Sequence, residues 1–118
     1  MEIPNHLTKV LEKAIVGFST INFDDGKPHN IAVEINKVEN QKIIITDNHF
    51  NKTFQNLQKN PQVSLVFWNE EVGFRIDGIV EYQIKGKWFD FVKKLDTNKG
   101  YSPRGAVIVN VTEITALL

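Results

Sequence analysis

The chain has no cysteine among its 118 residues. Disulfide bonds, thiolate nucleophiles, cysteine-bound zinc and iron–sulfur clusters are therefore excluded. Neither sign of charge is in excess, because 14 lysines and arginines balance 14 aspartates and glutamates. The long-range electrostatic attraction that drives nucleic-acid binding is thus missing, and we expect no nucleic-acid partner.

Long hydrophobic runs are also missing from the sequence. No stretch approaches the roughly 18 apolar residues of a membrane-spanning helix, and the first residues lack the basic start and apolar run of a signal peptide. These features predict a cytoplasmic protein with no membrane partner. The length suits one domain, residues 1–118, and a hydrophobic fraction of 42% is ordinary for a globular chain.

Residue spacing predicts a mainly β protein with three short helices. Apolar residues at three- and four-residue intervals predict helices over 4–14, 51–59 and the segment from Trp88 to Leu95. Alternating or continuous apolar runs predict six strands, at residues 14–23, 28–38, 42–46, 62–68, 73–85 and 106–114. Asp24-Asp25-Gly26 is a hairpin turn signal, and Gly78 inside a strand predicts a bulge or a close backbone approach. Short strands joined mostly by hairpins favour an antiparallel sheet that closes, or nearly closes, into a barrel.

The connection between the third strand and the second helix has the features of an anion site. The strand ends at Thr46, a polar loop follows, and the first turn of the helix carries Lys52 and Thr53. Free backbone N–H groups and the helix dipole favour negative charge there, while Lys52 adds a cation and Thr53 a hydroxyl donor. A purely structural interpretation stays open, because helix capping explains Asn48 or Asn51, and Lys52 can be simply solvated.

Several segments share their order and spacing with one known family. Beside the opening helix, they are residues 17–30, 43–46, 51–57, 60–65 and 74–78. Together they cover nearly the whole chain, which resembles the FMN-binding split-barrel family, the pyridoxamine 5'-phosphate oxidase-like flavoproteins, and especially their short bacterial members. The resemblance implies a six-stranded antiparallel split barrel that holds FMN at the interface of a homodimer.

The same resemblance implies a set of cofactor-binding residues. The phosphate would lie on Lys52 and Thr53, the second strand would follow the flavin ring, and the loop after the third strand would meet its pyrimidine edge. Arg104, in the segment Ser102-Pro103-Arg104, either reaches the partner subunit's cofactor or lies in a solvated loop. An aromatic residue precedes this arginine in related short proteins, so the far face of the flavin is less well defined here. The implied residues are Asn30, Ile31, Ala32, Val33, Thr46, Asp47, Asn48, His49, Lys52, Thr53 and Arg104.

Other chemistry-bearing residues have simpler interpretations. The three histidines lack the spacing of paired metal ligands, so no metal site is expected, although His49 adjoins the proposed cofactor loop. Trp68 and Trp88 are expected in the core rather than stacked on a ligand. Asp24 and Asp25 are expected to serve the hairpin turn rather than to act as paired catalytic carboxylates.

The sequence favours a flavin redox protein, either an electron carrier or a simple flavin reductase. FMN would carry the electrons, which agrees with the absence of any catalytic residue set, and the electron donor or acceptor, a small molecule or a protein, stays open. A phosphorylated pyridoxine substrate is disfavoured because Arg75 and Arg104 are the only arginines. Two alternatives remain: a binding module for haem, a deazaflavin (F420) or another phosphorylated ligand, and a structural dimer with a degenerate site.

Overall fold

The computed structural model describes residues 2–117 and contains a single seven-stranded antiparallel sheet with three short α-helices. In chain order the elements are α1 (Asn5–Leu11), β1 (Ile15–Ile21), β2 (Pro28–Glu34), β3 (Lys37–Glu39), β4 (Lys42–Asp47), α2 (Lys52–Lys59), β5 (Gln62–Trp68), β6 (Gly73–Gln83), α3 (Lys87–Lys93), a 3₁₀ turn (Asp96–Asn98) and β7 (Gly105–Ala116). The predicted helices and strands are all present, with ends shifted by a few residues.

The strand order across the sheet is β2-β1-β5-β6-β7-β4-β3. β2 and β3 form the two edges although they follow each other in the chain, so the sheet curls until its edges approach. Ala32 and Val33 of β2 and Thr46 of β4 line one cavity, so the β2 edge lies next to β4 across a seam. This curled sheet is the split barrel that the sequence predicts.

The prediction of six strands is wrong by one, because residues 28–38 form two strands rather than one. The Ile35 N–H donates to the Ala14 carbonyl at 2.9 Å, which continues the pairing of β1 and β2. The next N–H, that of Asn36, donates to Ile44 on β4 instead. The chain changes its hydrogen-bonding partner between consecutive residues, so β2 ends and β3 begins there, a switch that period-two alternation does not signal.

Gly78 lies at an irregularity in β6, as predicted. The register between β6 and β7 shifts between Asp77 and Gly78. A Cβ atom at Gly78 would lie 2.6 Å from Val109 Cγ1 and 2.7 Å from the Asn110 carbonyl oxygen. Only glycine allows β7 to pass this close, which lets the long strand bend with the barrel.

Two apolar clusters stabilise the sheet. The larger fills the barrel with inward residues such as Phe18, Leu65 and Ile76 and includes Leu7 and Leu11 of α1. The smaller packs α3 against the other face of β4 and β7; it contains Ile44, Trp88, Val92, Ala106 and Ile108. The expectation of a core position is thus confirmed for Trp88 and wrong for Trp68, whose side chain is 67% exposed at the end of β5.

Candidate cofactor site

A groove runs along the free edge of β2, facing the β4–α2 connection across the seam. It consists of two chambers of about 370 Å³ each, and Ala32, His49 and Phe50 line both. Each volume lies within the range of roughly 300 to 1,000 Å³ that is usual for small-molecule sites. The basic chamber is also lined by His29, Ile31, Asn51, Lys52 and Thr53. The amide chamber is also lined by Val33, Glu34, Asn36, Thr46, Asn48, Thr97, Asn98 and Tyr101.

Most of the residues singled out from the sequence meet in this groove. Those that line it are Ile31, Ala32, Val33, Thr46, Asn48, His49, Lys52 and Thr53. Asn30, Asp47 and Arg104 do not line either chamber. Asn30 lies on the outward face of β2, where it accepts a hydrogen bond from the Ser19 hydroxyl, and the other two lie behind the groove wall.

Lys52, in the first turn of α2, lines the basic chamber. Its ammonium lies 2.8 Å from the Asp24 carboxylate and 4.7 Å from the centroid of the Phe23 ring. The hydrogen bond from Lys52 lowers the pKa of Asp24 below its ordinary value. The interpretation of Asp24 as a turn residue is therefore incomplete, because its carboxylate is also the counter-ion of Lys52, the residue predicted to bind the phosphate.

A buried asparagine that the sequence analysis missed brings these two elements together. Asn56, on the buried face of α2, donates to the Thr20 hydroxyl at 2.9 Å and to Asn22 Oδ1 at 3.1 Å. Its own Oδ1 accepts the Phe23 N–H at 2.9 Å. These bonds hold the β1–β2 hairpin against α2 and so keep Asp24 within reach of Lys52. The available signal was a polar residue on the buried face of an amphipathic helix.

The two asparagines near the start of α2 are not explained by capping. Asn51 occupies the N-cap position, and its side chain makes no capping bond within residues 2–117. Asn48 instead donates from Nδ2 to Asn98 Oδ1 at 3.1 Å. Asp47 orders the loop, since its Oδ1 accepts the Phe50 N–H at 2.7 Å. The structural alternative that rested on asparagine capping therefore loses its support.

Asp47 is a fully buried carboxylate with charged and hydroxyl partners. The Tyr82 hydroxyl donates to its Oδ2 at 2.6 Å, and Arg104 Nε donates to the same oxygen at 3.2 Å. The Arg104 guanidinium also lies over the Phe54 ring, 4.2 Å from its centroid, and donates to the Phe50 carbonyl. A buried charge requires such pairing. This cluster ties β6 and the loop before β7 to the β4–α2 connection that walls the groove.

The same contacts explain an unusual tyrosine. Burial, the hydrogen bond to Asp47 and the negative charge of that carboxylate all raise the pKa of Tyr82 well above its ordinary value. The phenol thus stays protonated and remains a donor to Asp47 throughout the physiological pH range. Its hydrogen bond ties β6 to the β4–α2 connection.

The amide chamber contains a network of side-chain amides. Asn98, in the 3₁₀ turn, donates to the Thr46 hydroxyl at 3.0 Å and to the Val92 carbonyl at 2.7 Å. Thr46 donates to Asn36 Oδ1 at 2.7 Å. Asn48 Oδ1 is buried and has no hydrogen-bond partner in the part of the chain that the structure describes. Nothing local in the sequence indicates Asn36 or Asn98, which approach Asn48 only in the folded chain.

His49 and Tyr101, which both line the amide chamber, have their rings stacked at a centroid distance of 6.2 Å. Among residues 2–117, no three His, Cys, Asp or Glu side chains are grouped as metal ligands.

None of the helices in that range is long and apolar enough to cross a membrane. Cavities of about 510 Å³ beside Trp88 and about 410 Å³ beside Ile79 contain none of the predicted site residues.

Comparison with known proteins identifies the family. The family model described as pyridoxamine 5'-phosphate oxidase matches residues 3–117. An uncharacterised protein of Methanocaldococcus jannaschii is 31% identical, over 97% of this chain and 80% of the relative. The structure of HupZ from Group A Streptococcus superposes with a TM-score of 0.86 at 20% identity, covering 98% of this chain and 94% of that one. An FMN-binding protein of Syntrophomonas wolfei superposes with a TM-score of 0.76 at 16% identity, covering 95% and 82%. These two structures show a shared fold, and the match of the family model shows that the chain belongs to the pyridoxamine 5'-phosphate oxidase family.

Proposed function

We propose that this protein binds FMN in the groove and works as a homodimeric flavin redox protein. The observation that carries the proposal is the chemistry of the groove, which has a cation and a hydroxyl at one end and a buried, unpaired amide acceptor at the other. FMN has a phosphate at one end and a ring edge with an N–H donor at the other. A similar structure, that of the Syntrophomonas wolfei protein, is of an FMN-binding protein.

The basic chamber fits the phosphate. Lys52 and Thr53 line it together, and both belong to the first turn of α2, where backbone N–H groups and the helix dipole favour an anion. Lys52 would contribute a charge-assisted hydrogen bond and Thr53 a hydroxyl donor. The phosphate would compete with Asp24 for Lys52 or share it.

The amide chamber fits the ring. An unsatisfied buried acceptor such as Asn48 Oδ1 costs about 1 to 3 kcal/mol, and an N–H of the flavin pyrimidine edge would remove that cost. A deazaflavin retains this N–H and is the second candidate ligand. Haem has no N–H donor on its ring edge and fits the chamber less well.

The residues of the groove would bind and orient the flavin, while the flavin itself supplies the electron transfer. Val33 and Thr46 both line the amide chamber and would flank the ring, and the Asp47–Arg104 ion pair would hold the loop that supports it.

An exposed apolar face supports the homodimer. Ile15, Ile21, Trp68 and Ile79 are exposed on the outward face of β1, β5 and β6, where paired residues share one side of the sheet. Apolar patches of this kind mark association surfaces. The face continues onto β2 through Ala32, which also lines both chambers, so a partner subunit seated there would border the groove.

Two measurements test the proposed function. The visible spectrum of the purified protein, followed by titration with FMN and with a deazaflavin, should show saturable binding near one flavin per chain. Absorbance distinguishes the two cofactors and haem. A colourless protein that quenches neither flavin nor deazaflavin fluorescence would contradict the proposal.

Lys52→Ala should weaken FMN binding about 10- to 150-fold, because a charge-assisted contact contributes about 1.5 to 3 kcal/mol. Binding of riboflavin, which has no phosphate, should change little. Lys59→Ala, in the last turn of the same helix, is the matched control and should leave both affinities unchanged. Equal FMN affinity in Lys52→Ala and the wild type would place the phosphate elsewhere.

A further inference from the structure

The hydrogen bonds of the amide chamber have one direction. Asn48 donates to Asn98, Asn98 to Thr46, Thr46 to Asn36, and Asn36 to the Glu34 carboxylate at 3.3 Å. We call these five side chains the amide relay. Each donates to the next, and the relay ends on a carboxylate, which when ionised only accepts hydrogen bonds.

The orientation of each amide follows from its partners. The Val92 carbonyl can only accept, so the Asn98 group that faces it must be the NH₂ group. That NH₂ group also serves Thr46, which leaves Asn98 Oδ1 facing Asn48 and requires Asn48 to present its own NH₂ group. If Asn48 were flipped, two carbonyl oxygens would face each other at 3.1 Å.

A consequence is that Asn48 Oδ1 is held as an acceptor at the open end of the relay. Its oxygen is buried and has no partner among the described residues, and Asn48 lines the amide chamber. The direction of these hydrogen bonds cannot reverse so that Asn48 Oδ1 is replaced by a donor. The ionised Glu34 carboxylate and the Val92 carbonyl can only accept, and they fix the orientation of the amides between them. Only a group that donates a hydrogen bond can complete it.

We propose that the amide relay makes the chamber selective for a planar ligand edge that presents an N–H donor, with Asn48 recognising the donor and Asn98 acting as the positioning residue. The inference rests on the proposed function and deepens it, because it names the part of the flavin that Asn48 recognises. It extends to any phosphorylated ligand with a cyclic imide, such as a deazaflavin, and excludes rings without an N–H.

The test compares FMN with 3-methyl-FMN, in which a methyl group replaces the imide hydrogen. Wild-type protein should bind FMN about tenfold or more tightly than the methylated analogue, because the methyl group removes the hydrogen bond and leaves the buried Asn48 Oδ1 without a donor. Asn48→Ala removes the acceptor and makes room for the methyl group. The ratio of the two dissociation constants should then fall to about 1, with FMN weakened and 3-methyl-FMN bound no worse than by the wild type.

Asn98→Ala tests the positioning role. It leaves the Asn48 oxygen in place but frees its amide to rotate, so the ratio should fall to a few-fold. A merely structural Asn98 would weaken both ligands equally and preserve the wild-type ratio, which would overturn its assignment. Lys99→Ala, which changes an exposed residue next to Asn98 that lines neither chamber, is the control and should keep the wild-type ratio.

Two different results would overturn the inference about Asn48 alone or FMN binding as a whole. Wild-type protein that binds FMN and 3-methyl-FMN equally would overturn the inference, because solvent would then satisfy Asn48, while FMN binding itself would stand. Wild-type protein that binds no flavin would overturn both. The wild-type comparison needs no variant, so misfolding of Asn48→Ala cannot obscure it.

Discussion

Lys52 and Asp24 show how one residue pair can tune a ligand site. The carboxylate is 2.8 Å from the ammonium on which we place the phosphate, so a negative charge already lies beside the cation of the basic chamber. A dianionic phosphate would be repelled by Asp24 while it is attracted by Lys52. The net charge of the chamber, rather than Lys52 alone, should set the affinity for phosphorylated ligands.

We therefore expect Asp24→Asn to bind FMN several-fold more tightly than the wild type. Removing the carboxylate removes both its repulsion of the phosphate and its competition for Lys52. The gain should shrink as salt concentration rises, because both charges are near the surface. Isothermal titration with FMN at low and high salt measures it.

Asp25→Asn is the matched control for this prediction. Asp25 is adjacent in the same turn, and its Oδ1 accepts the Lys27 N–H at 2.9 Å rather than contacting Lys52. It should change FMN affinity less than Asp24→Asn does. Riboflavin affinity should be insensitive to both substitutions, and a parallel gain for riboflavin would refute the electrostatic explanation.

At the scale of elements, the close approach of β6 and β7 at Gly78 determines the shape of the barrel. These two strands have the longest pairing in the sheet, from Phe74 with Ala116 to Gln83 with Ala106, and the register shift falls within it. Since β7 also pairs with β4, distortion at this point is transmitted to the strand that leads into the groove.

Gly78→Ala should lower the free energy of unfolding by about 1 to 3 kcal/mol, the usual cost of overpacking a close contact. The new Cβ would meet the Asn110 carbonyl oxygen at 2.7 Å, and backbone cannot rotate away. Gly17→Ala should cost less, because its Cβ would meet the Val66 side chain at 3.0 Å and that side chain can adjust. Chemical denaturation of both variants measures the difference. Equal stabilities would show that β6 and β7 can accommodate a Cβ atom at Gly78.

At the scale of the whole molecule, the proposed dimer depends on the outward face of the sheet. Ile79→Lys places a charge on the β6 side of this face, where Ile79 is 40% exposed. We expect this variant to be monomeric and to bind FMN more weakly, because the partner subunit would border the groove. Light scattering after size-exclusion chromatography gives the oligomeric state.

Ile84→Lys is the control for the dimer prediction, because Ile84 is an equally apolar and more exposed residue that follows the end of β6. It should remain dimeric and bind FMN normally. A dimer that survives Ile79→Lys would place the interface on another face. Weaker FMN binding by a variant that remains dimeric would separate the groove from the interface.

Much of the fold could be predicted from the sequence, because its signals are local. Period-two alternation, the Asp24-Asp25-Gly26 turn and the interrupting Gly78 each depend on neighbours in the chain. The missed boundary between β2 and β3 depends instead on a change of hydrogen-bonding partner at Asn36, which requires β4 to lie alongside. Such a change leaves no periodic trace.

The sequence by itself determined the antiparallel barrel and the basic end of the groove, since Lys52 and Thr53 start a helix wherever that helix lies. Only the tertiary structure decided how Asn48 meets Asn98 and how Asp47 meets Arg104. Each of these partners lies 50 or more residues from the other along the chain. Hydrogen bonds form over about 3 Å and at restricted angles, so such pairs exist only once the curled sheet brings its edges together.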